Sequence, residues 1–281
     1  MRKNKPLAFI PGLFETSAIW QPTITRLELP ISELVCLELG GHDPTDRVIF
    51  DVDRWVERAA AKIFPPGLTD KVTLVCHSTG GLLGLVLAKR YPRRVDSLVL
   101  VGSLTCGHRG KAVMVEQSIL ASDVLGPTAF SIGWRMWLAS RRSFEVGLQL
   151  ATSAEAASTV PDEMRVTLQK CDTEALRSMT NWVLKTSILD DLAEIDVPIL
   201  GIVGRRDHVV PPEHQLQLIK TASGAQGCLL DAGHLPFLES PSAFDKALRG
   251  WLQFGPARQV VPASAAPTDL AELEPEPFGG S

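Results

Sequence analysis

Short apolar runs alternate with segments of helical periodicity along most of the chain. The apolar runs have strand length and favour β-branched residues; they cover 7–10, 34–39, 72–75, 95–101, 197–204 and 227–231. Apolar residues spaced three and four apart predict helices between these runs, over 20–27, 52–63, 82–91, 212–221 and 244–254. Strands that are apolar throughout and alternate with helices indicate an α/β fold, a mostly parallel sheet with helices on both faces.

Residues 104–187 interrupt this alternation. They contain helical patterns and no convincing strand, and the strand pattern resumes after them. We therefore expect an all-helical cap at 104–187, inserted into one α/β core that is formed by residues 1–103 and 188–255; the alternative is an independent helical domain. Residues 256–281 are rich in proline, alanine and acidic residues, a composition that predicts a disordered tail.

The segment 71–92 predicts a buried strand, a sharp turn and a buried helix, with Ser78 at the apex of the turn. This is the layout of a nucleophile elbow, which holds a serine hydroxyl exposed above the edge of a sheet. Small residues are needed two positions before and after the serine, because strand and helix pass close together there. Gly80 fits this pattern, whereas Cys76 stands where glycine is usual. The alternative is a serine in an ordinary surface turn.

Two further residues follow predicted strands in the order that serine catalysis requires. A serine hydroxyl is a weak nucleophile at neutral pH and needs a base, which is itself oriented by an acid. Asp207 and His234 each follow the carboxyl end of a predicted strand, so both belong at the same sheet edge as Ser78. Asp231 is a competing carboxylate close to His234 in the sequence.

The chain resembles the α/β-hydrolase family over about residues 6–254. The elbow, the segment G-x-x-D-x-x-V-P around Asp207 and the segment G-H-x-P-x-x-E-x-P around His234 carry this resemblance. It implies a serine hydrolase in which Ser78 is the nucleophile, His234 the base and Asp207 the acid. Serine in the elbow disfavours the dehalogenase and epoxide hydrolase branches of the family, which need aspartate there.

The resemblance also implies an oxyanion hole built from two backbone donors. One donor is the N–H of Thr79, which follows the nucleophile. The other is the N–H that follows the glycine of the loop after the first strand, which is Leu13. Relatives usually have His-Gly in that loop, whereas this chain has Pro11-Gly12. Proline keeps the backbone donor but removes a side chain that commonly braces the loop.

The expected substrate is an apolar small-molecule carboxylic ester. The expected cap is rich in large apolar side chains, and we expect the substrate pocket to be lined by Phe14, Phe130, Trp134 and Trp137. Lactonase, thioesterase and C–C bond hydrolase activities are the enzymatic alternatives. A ligand receptor built on the same fold is the non-enzymatic alternative, because a fold does not dictate a function.

Composition bears on the expected partners, cofactors and cellular location of the protein. The chain has 28 basic and 32 acidic residues and no basic block, so nucleic acid is not an expected partner. Five scattered cysteines without a C-x-x-C pair predict a reducing compartment and no metal site, and without a phosphate-binding motif we expect no cofactor. His77 and His208 adjoin candidate residues and are expected to be structural. With no apolar run of membrane-spanning length, a cytoplasmic location is expected; the oligomeric state stays open.

Overall fold

The computed structural model describes residues 6–30, 34–107 and 126–255. Within these ranges the chain forms a six-stranded parallel sheet with the strand order β2-β1-β3-β4-β5-β6. This confirms the predicted parallel α/β architecture. The strands are β1 (Leu7–Ile10), β2 (Leu34–Cys36), β3 (Val72–His77), β4 (Val95–Val101), β5 (Ile199–Gly204) and β6 (Gln226–Leu230).

Helices cover both faces of the sheet. They are α1 (Gln21–Leu27), which follows a 3-10 turn at Ser17–Trp20, α2 (Val52–Ile63), α3 (Thr79–Arg90), and, after β5, α9 (Pro212–Thr221), α10 (Pro236–Glu239) and α11 (Pro241–Phe254). Successive strand residues point to opposite faces, so the side chains divide into two apolar cores. Phe9 and Val75 belong to one core, and their neighbours Ala8 and Leu74 belong to the other. The four central strands are thereby buried on both faces and the edge strands β2 and β6 partly so, which explains their continuous apolar sequence.

Five helices lie between β4 and β5 in the described part of the chain. They are α4 (Gly126–Leu138), α5 (Arg141–Leu148), α6 (Ala154–Thr159), α7 (Asp162–Leu168) and α8 (Thr173–Lys185). The chain leaves and re-enters the sheet at adjacent points, because Cys106 pairs antiparallel with Ser187 and the Ile188 N–H donates to the Thr105 carbonyl at 2.8 Å. We call the described residues of this part, 104–107 and 126–187, the helical insertion. The predicted tail, 256–281, lies outside the described residues.

Several predicted boundaries differ from the observed ones by one to three residues. The second strand ends at Cys36 instead of residue 39, because its pairing with β1 ends there, with Cys36 opposite Phe9; Leu37 and Leu39 still pack into the core beside α2. The helix of the elbow begins at Thr79, three residues before the predicted start, since the small residues of the turn form its first turn. In the described ranges, no helix combines the length and the apolarity needed to cross a membrane.

Candidate active site

The elbow places Ser78 in a strained backbone conformation between β3 and α3. Its φ of 49° lies in the left-handed region, which is uncommon for a residue other than glycine. The Ser78 N–H donates to the Val101 carbonyl at 2.8 Å, which ties the turn to the neighbouring strand. A Cβ at Gly80 would lie 2.4 Å from the Pro11 carbonyl oxygen, so glycine is required there. The loop after β1 therefore packs directly against the elbow.

Cys76 occupies the position where glycine is usual, and α3 accommodates it. The Cys76 side chain is fully buried against Gly84, where an added Cβ would come within 2.6 Å of its Sγ. Burial raises the pKa of the Cys76 thiol, so the thiol stays neutral. The departure from the family pattern is thus compensated by a glycine eight residues further along the chain.

Asp207 and His234 are joined by a hydrogen bond from His234 Nδ1 to Asp207 Oδ2 at 2.8 Å. The carboxylate also accepts the N–H groups of Val209 and Val210, each at 2.8 Å, and Nε2–H of Gln215 at 2.9 Å. Burial alone would raise the pKa of Asp207, but the hydrogen bond and positive charge of His234, together with these backbone donors, lower it below its usual value. Asp207 is therefore a fixed, ionised acceptor.

The competing carboxylate lies elsewhere. Asp231 is exposed and pairs with Arg206. His208, which follows Asp207 in the sequence, is also exposed. The structure therefore brings Asp207, and not Asp231, to His234.

His234 is 5% exposed, and burial lowers its pKa in spite of the adjacent Asp207 carboxylate. With the Nδ1 proton donated to Asp207, the neutral ring presents the lone pair of Nε2. Among the described residues, no hydrogen bond joins Nε2 to the Ser78 hydroxyl. Catalytic hydrogen bonds of this kind often form only when substrate is bound. The His77 ring, next to Ser78 in the sequence, lies 4.6 Å from the His234 ring between centroids.

The loop that carries His234 is held by the helical insertion. The His234 N–H donates to the Ala151 carbonyl at 3.2 Å. Glu239 accepts the Gly233 N–H at 2.8 Å and the Thr152 hydroxyl at 2.7 Å. Glu239 is the glutamate of the G-H-x-P-x-x-E-x-P segment, so a sequence signal for it existed although no role was predicted.

The loop at residues 11–15, which we call the oxyanion loop, carries the candidate donor Leu13. Phe14 has a positive φ of 64°, and its N–H donates to His42 Nε2 at 2.9 Å. His42 Nδ1 in turn donates to the Gly40 carbonyl at 3.0 Å, which fixes the tautomer. Burial lowers the pKa of His42 to about 4, so the ring remains a neutral acceptor. Sequence reasoning missed His42, because nothing in its spacing indicates this contact.

The two candidate oxyanion donors are the N–H groups of Thr79 in the elbow and of Leu13 in the oxyanion loop. Thr79 is the first residue of α3, where an N–H group has no acceptor within the helix. The backbone hydrogen bonds of the described residues include none from the Leu13 N–H. Neither of these two N–H groups therefore has a backbone acceptor among the described residues.

The four predicted pocket residues form one aromatic cluster. Phe14 lies 5.9 Å from Phe130, 5.3 Å from Trp134 and 6.3 Å from Trp137 between ring centroids. The indole N–H groups of both tryptophans bind carbonyl oxygens within the helical insertion, at Leu168 and Phe144. This cluster therefore connects the oxyanion loop to α4.

The chain belongs to the alpha/beta hydrolase family, whose model matches residues 7–247.

Relatives of this chain are named as esterases and hydrolases, which makes it an α/β-hydrolase enzyme. It is 28% identical over 224 residues to the pimeloyl-[acyl-carrier protein] methyl ester esterase of a serogroup C strain of Neisseria meningitidis, with 77% of this chain and 82% of the relative covered.

Solved structures agree in fold. A hydrolase from Oleispira antarctica superimposes with a TM-score of 0.71 at 14% identity, covering 90% of this chain and 92% of the other. The enol-lactonase from Burkholderia xenovorans LB400 gives 0.64 at 19% identity, covering 90% and 94%. At these identities the likeness extends to the fold alone.

Proposed function

We propose that this enzyme cleaves a carboxylic ester of an apolar small molecule through an acyl-enzyme formed on Ser78. The observation that carries the proposal is the buried hydrogen bond between His234 Nδ1 and Asp207 Oδ2 beside a strained serine elbow. This arrangement supplies a nucleophile, a neutral base with a free Nε2 and an ionised acid that orients the base.

The proposed cycle has two half-reactions. Ser78 Oγ attacks the acyl carbonyl while His234 Nε2 takes its proton, and the Asp207 carboxylate stabilises the imidazolium that forms. The N–H groups of Leu13 and Thr79 bind the oxyanion of the tetrahedral intermediate. His234 then protonates the leaving alcohol. In the second half-reaction His234 takes a proton from water, which attacks the acyl-enzyme, and the acid is released as Ser78 recovers its proton.

The aromatic cluster supports an apolar substrate. We propose that the helical insertion acts as a cap and that Phe14, Phe130, Trp134 and Trp137 supply the apolar lining. Two contacts support this placement: Thr152 binds Glu239 in the loop of His234, and Phe14 packs on α4. An ester is preferred over a lactone, thioester or C–C bond because the relative from Neisseria is named as a methyl ester esterase.

Replacement of the nucleophile tests the proposal. Ser78→Ala should lower kcat toward a panel of small esters by about a thousandfold or more, because the acyl-enzyme can no longer form. A serine-directed phosphonate should label the unaltered enzyme at Ser78 and leave the variant unlabelled. Ser97→Ala is the matched control: Ser97 lies in β4 and binds Trp251 Nε1 at 3.1 Å, away from the elbow.

Two results would count against the proposal. If Ser78→Ala kept half of the activity, the nucleophile would be another residue. If the unaltered protein turned over no ester while it bound apolar ligands tightly, the receptor alternative would be preferred.

A further inference from the structure

A second buried pair, Glu15 and His77, lies beside the Ser78, His234 and Asp207 group. His77 Nδ1 lies 2.9 Å from Glu15 Oε2, and His77 Nε2 lies 2.9 Å from the carbonyl oxygen of His234. Glu15 Oε2 also accepts the Gly12 N–H at 2.6 Å. Glu15 is 6% exposed and His77 is 1% exposed. A continuous chain of contacts therefore runs from the oxyanion loop to the backbone of His234.

The partners of this pair determine where its protons lie. A carbonyl oxygen can only accept a hydrogen bond, so His77 Nε2 must carry a proton. His77 Nδ1 faces a carboxylate oxygen that already accepts the Gly12 N–H, and a carboxylate oxygen can accept two such bonds. Both ring nitrogens can then donate, and this arrangement corresponds to an imidazolium at His77 and a carboxylate at Glu15.

The electrostatics agree with this assignment. Burial opposes the charge on each side chain, but their mutual attraction prevails: it lowers the pKa of Glu15 and raises the pKa of His77. Asp207 also favours the charged form of His77. The oxyanion loop packs closely on this pair, because a Cβ at Gly12 would lie 2.8 Å from His77 Nδ1.

We propose that Glu15 and His77 are a charged positioning pair that fixes the oxyanion loop relative to the backbone of His234; this rests on the function proposed above. One side chain of the pair holds the Gly12 amide, next to the candidate donor Leu13. The other holds the carbonyl of the candidate base.

Variants at position 77 separate the two halves of the pair. In His77→Asn, the amide nitrogen can take the place of Nδ1 and still bind Glu15; in His77→Gln, it can take the place of Nε2 and still bind the His234 carbonyl. His77→Ala loses both contacts. The matched control is Glu38→Gln, because Glu38 is another largely buried carboxylate that accepts a backbone N–H, that of Ser17 at 3.0 Å, and the structure shows no contact between it and the oxyanion loop or His234.

The expected result is a loss in kcat with little change in KM. His77→Ala should lower kcat about 10- to 100-fold, below the roughly 10²- to 10³-fold that accompanies complete loss of an oxyanion donor, because the donors remain but are misplaced. His77→Asn and His77→Gln should each recover part of that loss, and Glu38→Gln should stay within about threefold of the unaltered enzyme. If His77→Ala stayed within twofold, or if Glu38→Gln lost as much as His77→Ala, the pair would have no positioning role.

A measurement without turnover keeps this inference separate from the proposed reaction. In the unaltered protein labelled with ¹⁵N-histidine, the resonances that disappear in His77→Gln should show both ring nitrogens protonated at pH 7.5. Amide exchange of Gly12 should be faster in His77→Ala than in Glu38→Gln. A ring with one unprotonated nitrogen, or unchanged exchange at Gly12, would overturn the inference. If the His77 ring were doubly protonated and Gly12 exchange were faster in His77→Ala, but the unaltered protein cleaved no ester, only the proposed function would be refuted.

Discussion

Replacement of Asp207 by asparagine is the sharpest test of how His234 is oriented. Oδ1 of Asp207 accepts two backbone N–H groups, whereas Oδ2 accepts both His234 Nδ1–H and Gln215 Nε2–H. The backbone donors fix the amide oxygen of Asp207→Asn at the Oδ1 position, so its NH₂ group must face His234. His234 Nδ1 can then only accept a hydrogen bond, so the one proton of the neutral ring moves to Nε2. Nε2 thereby loses the lone pair that the base needs to take the proton of Ser78.

The expected magnitude follows from this change of tautomer. A base that holds its proton on the wrong nitrogen costs about 10⁴-fold in kcat, which corresponds to about 5.5 kcal/mol at about 1.4 kcal/mol for each tenfold. The variant should still fold, because the amide oxygen keeps both backbone contacts. Single-turnover acylation with a chromogenic ester should measure the loss directly, and circular dichroism should confirm folding.

Asp231→Asn is the matched control for this experiment. Asp231 is exposed and pairs with Arg206. The kcat of the Asp231→Asn variant should therefore stay within about threefold of that of the unaltered enzyme. If Asp207→Asn retained more than a tenth of the activity, or if Asp231→Asn lost as much, Asp207 would not be the acid that orients His234.

Two further predictions concern pH and chain length. Burial lowers the pKa of His234, and the neutral ring is the form that acts as a base. The value of kcat/KM should therefore be maximal at neutral pH and fall only as the pH drops through a value below 6.5. An inflection above pH 7, under conditions where the chemical step limits the rate, would contradict a buried His234 base. Each substrate methylene buried against the aromatic cluster should raise kcat/KM about fourfold, from about 0.8 kcal/mol, until the pocket is full. Trp134→Ala should shift that limit and leave labelling by a small phosphonate largely unchanged, whereas equal slowing of both reactions would exclude Trp134 as a specificity element.

The sheet was predictable because its strands are buried on both faces and so are apolar throughout. The pairing of Asp207 with His234 was predictable for a related reason, since strand ends of a parallel sheet meet at one edge. Contacts that orient these residues were not predictable. Gln215 reaches Asp207 from α9, and His42 reaches the oxyanion loop from 28 residues away. Such contacts depend on side-chain direction in the folded chain, which leaves no periodic pattern in the sequence.

The helical insertion was predicted from the absence of strands over 104–187, and its described part contains helices α4 to α8. Its role as a cap stays a prediction. The sequence did not indicate that Ala151 would contact His234 or that Thr152 would contact Glu239, because small and short polar residues in the turn between α5 and α6 carry no distinctive signal.

The contact between Cys76 and Gly84 has an evolutionary consequence. The two positions share one volume across the interface of strand and helix, so Gly84 cannot be enlarged while Cys76 keeps its side chain. Replacement of Cys76 by glycine would leave a void about the size of the lost side chain beside α3, which a larger residue at position 84 could then fill. The reverse order, enlargement of Gly84 first, would push α3 away from the sheet and displace Ser78. Substitution at these sites is therefore ordered in time: the strand position must shrink before the helix position can grow.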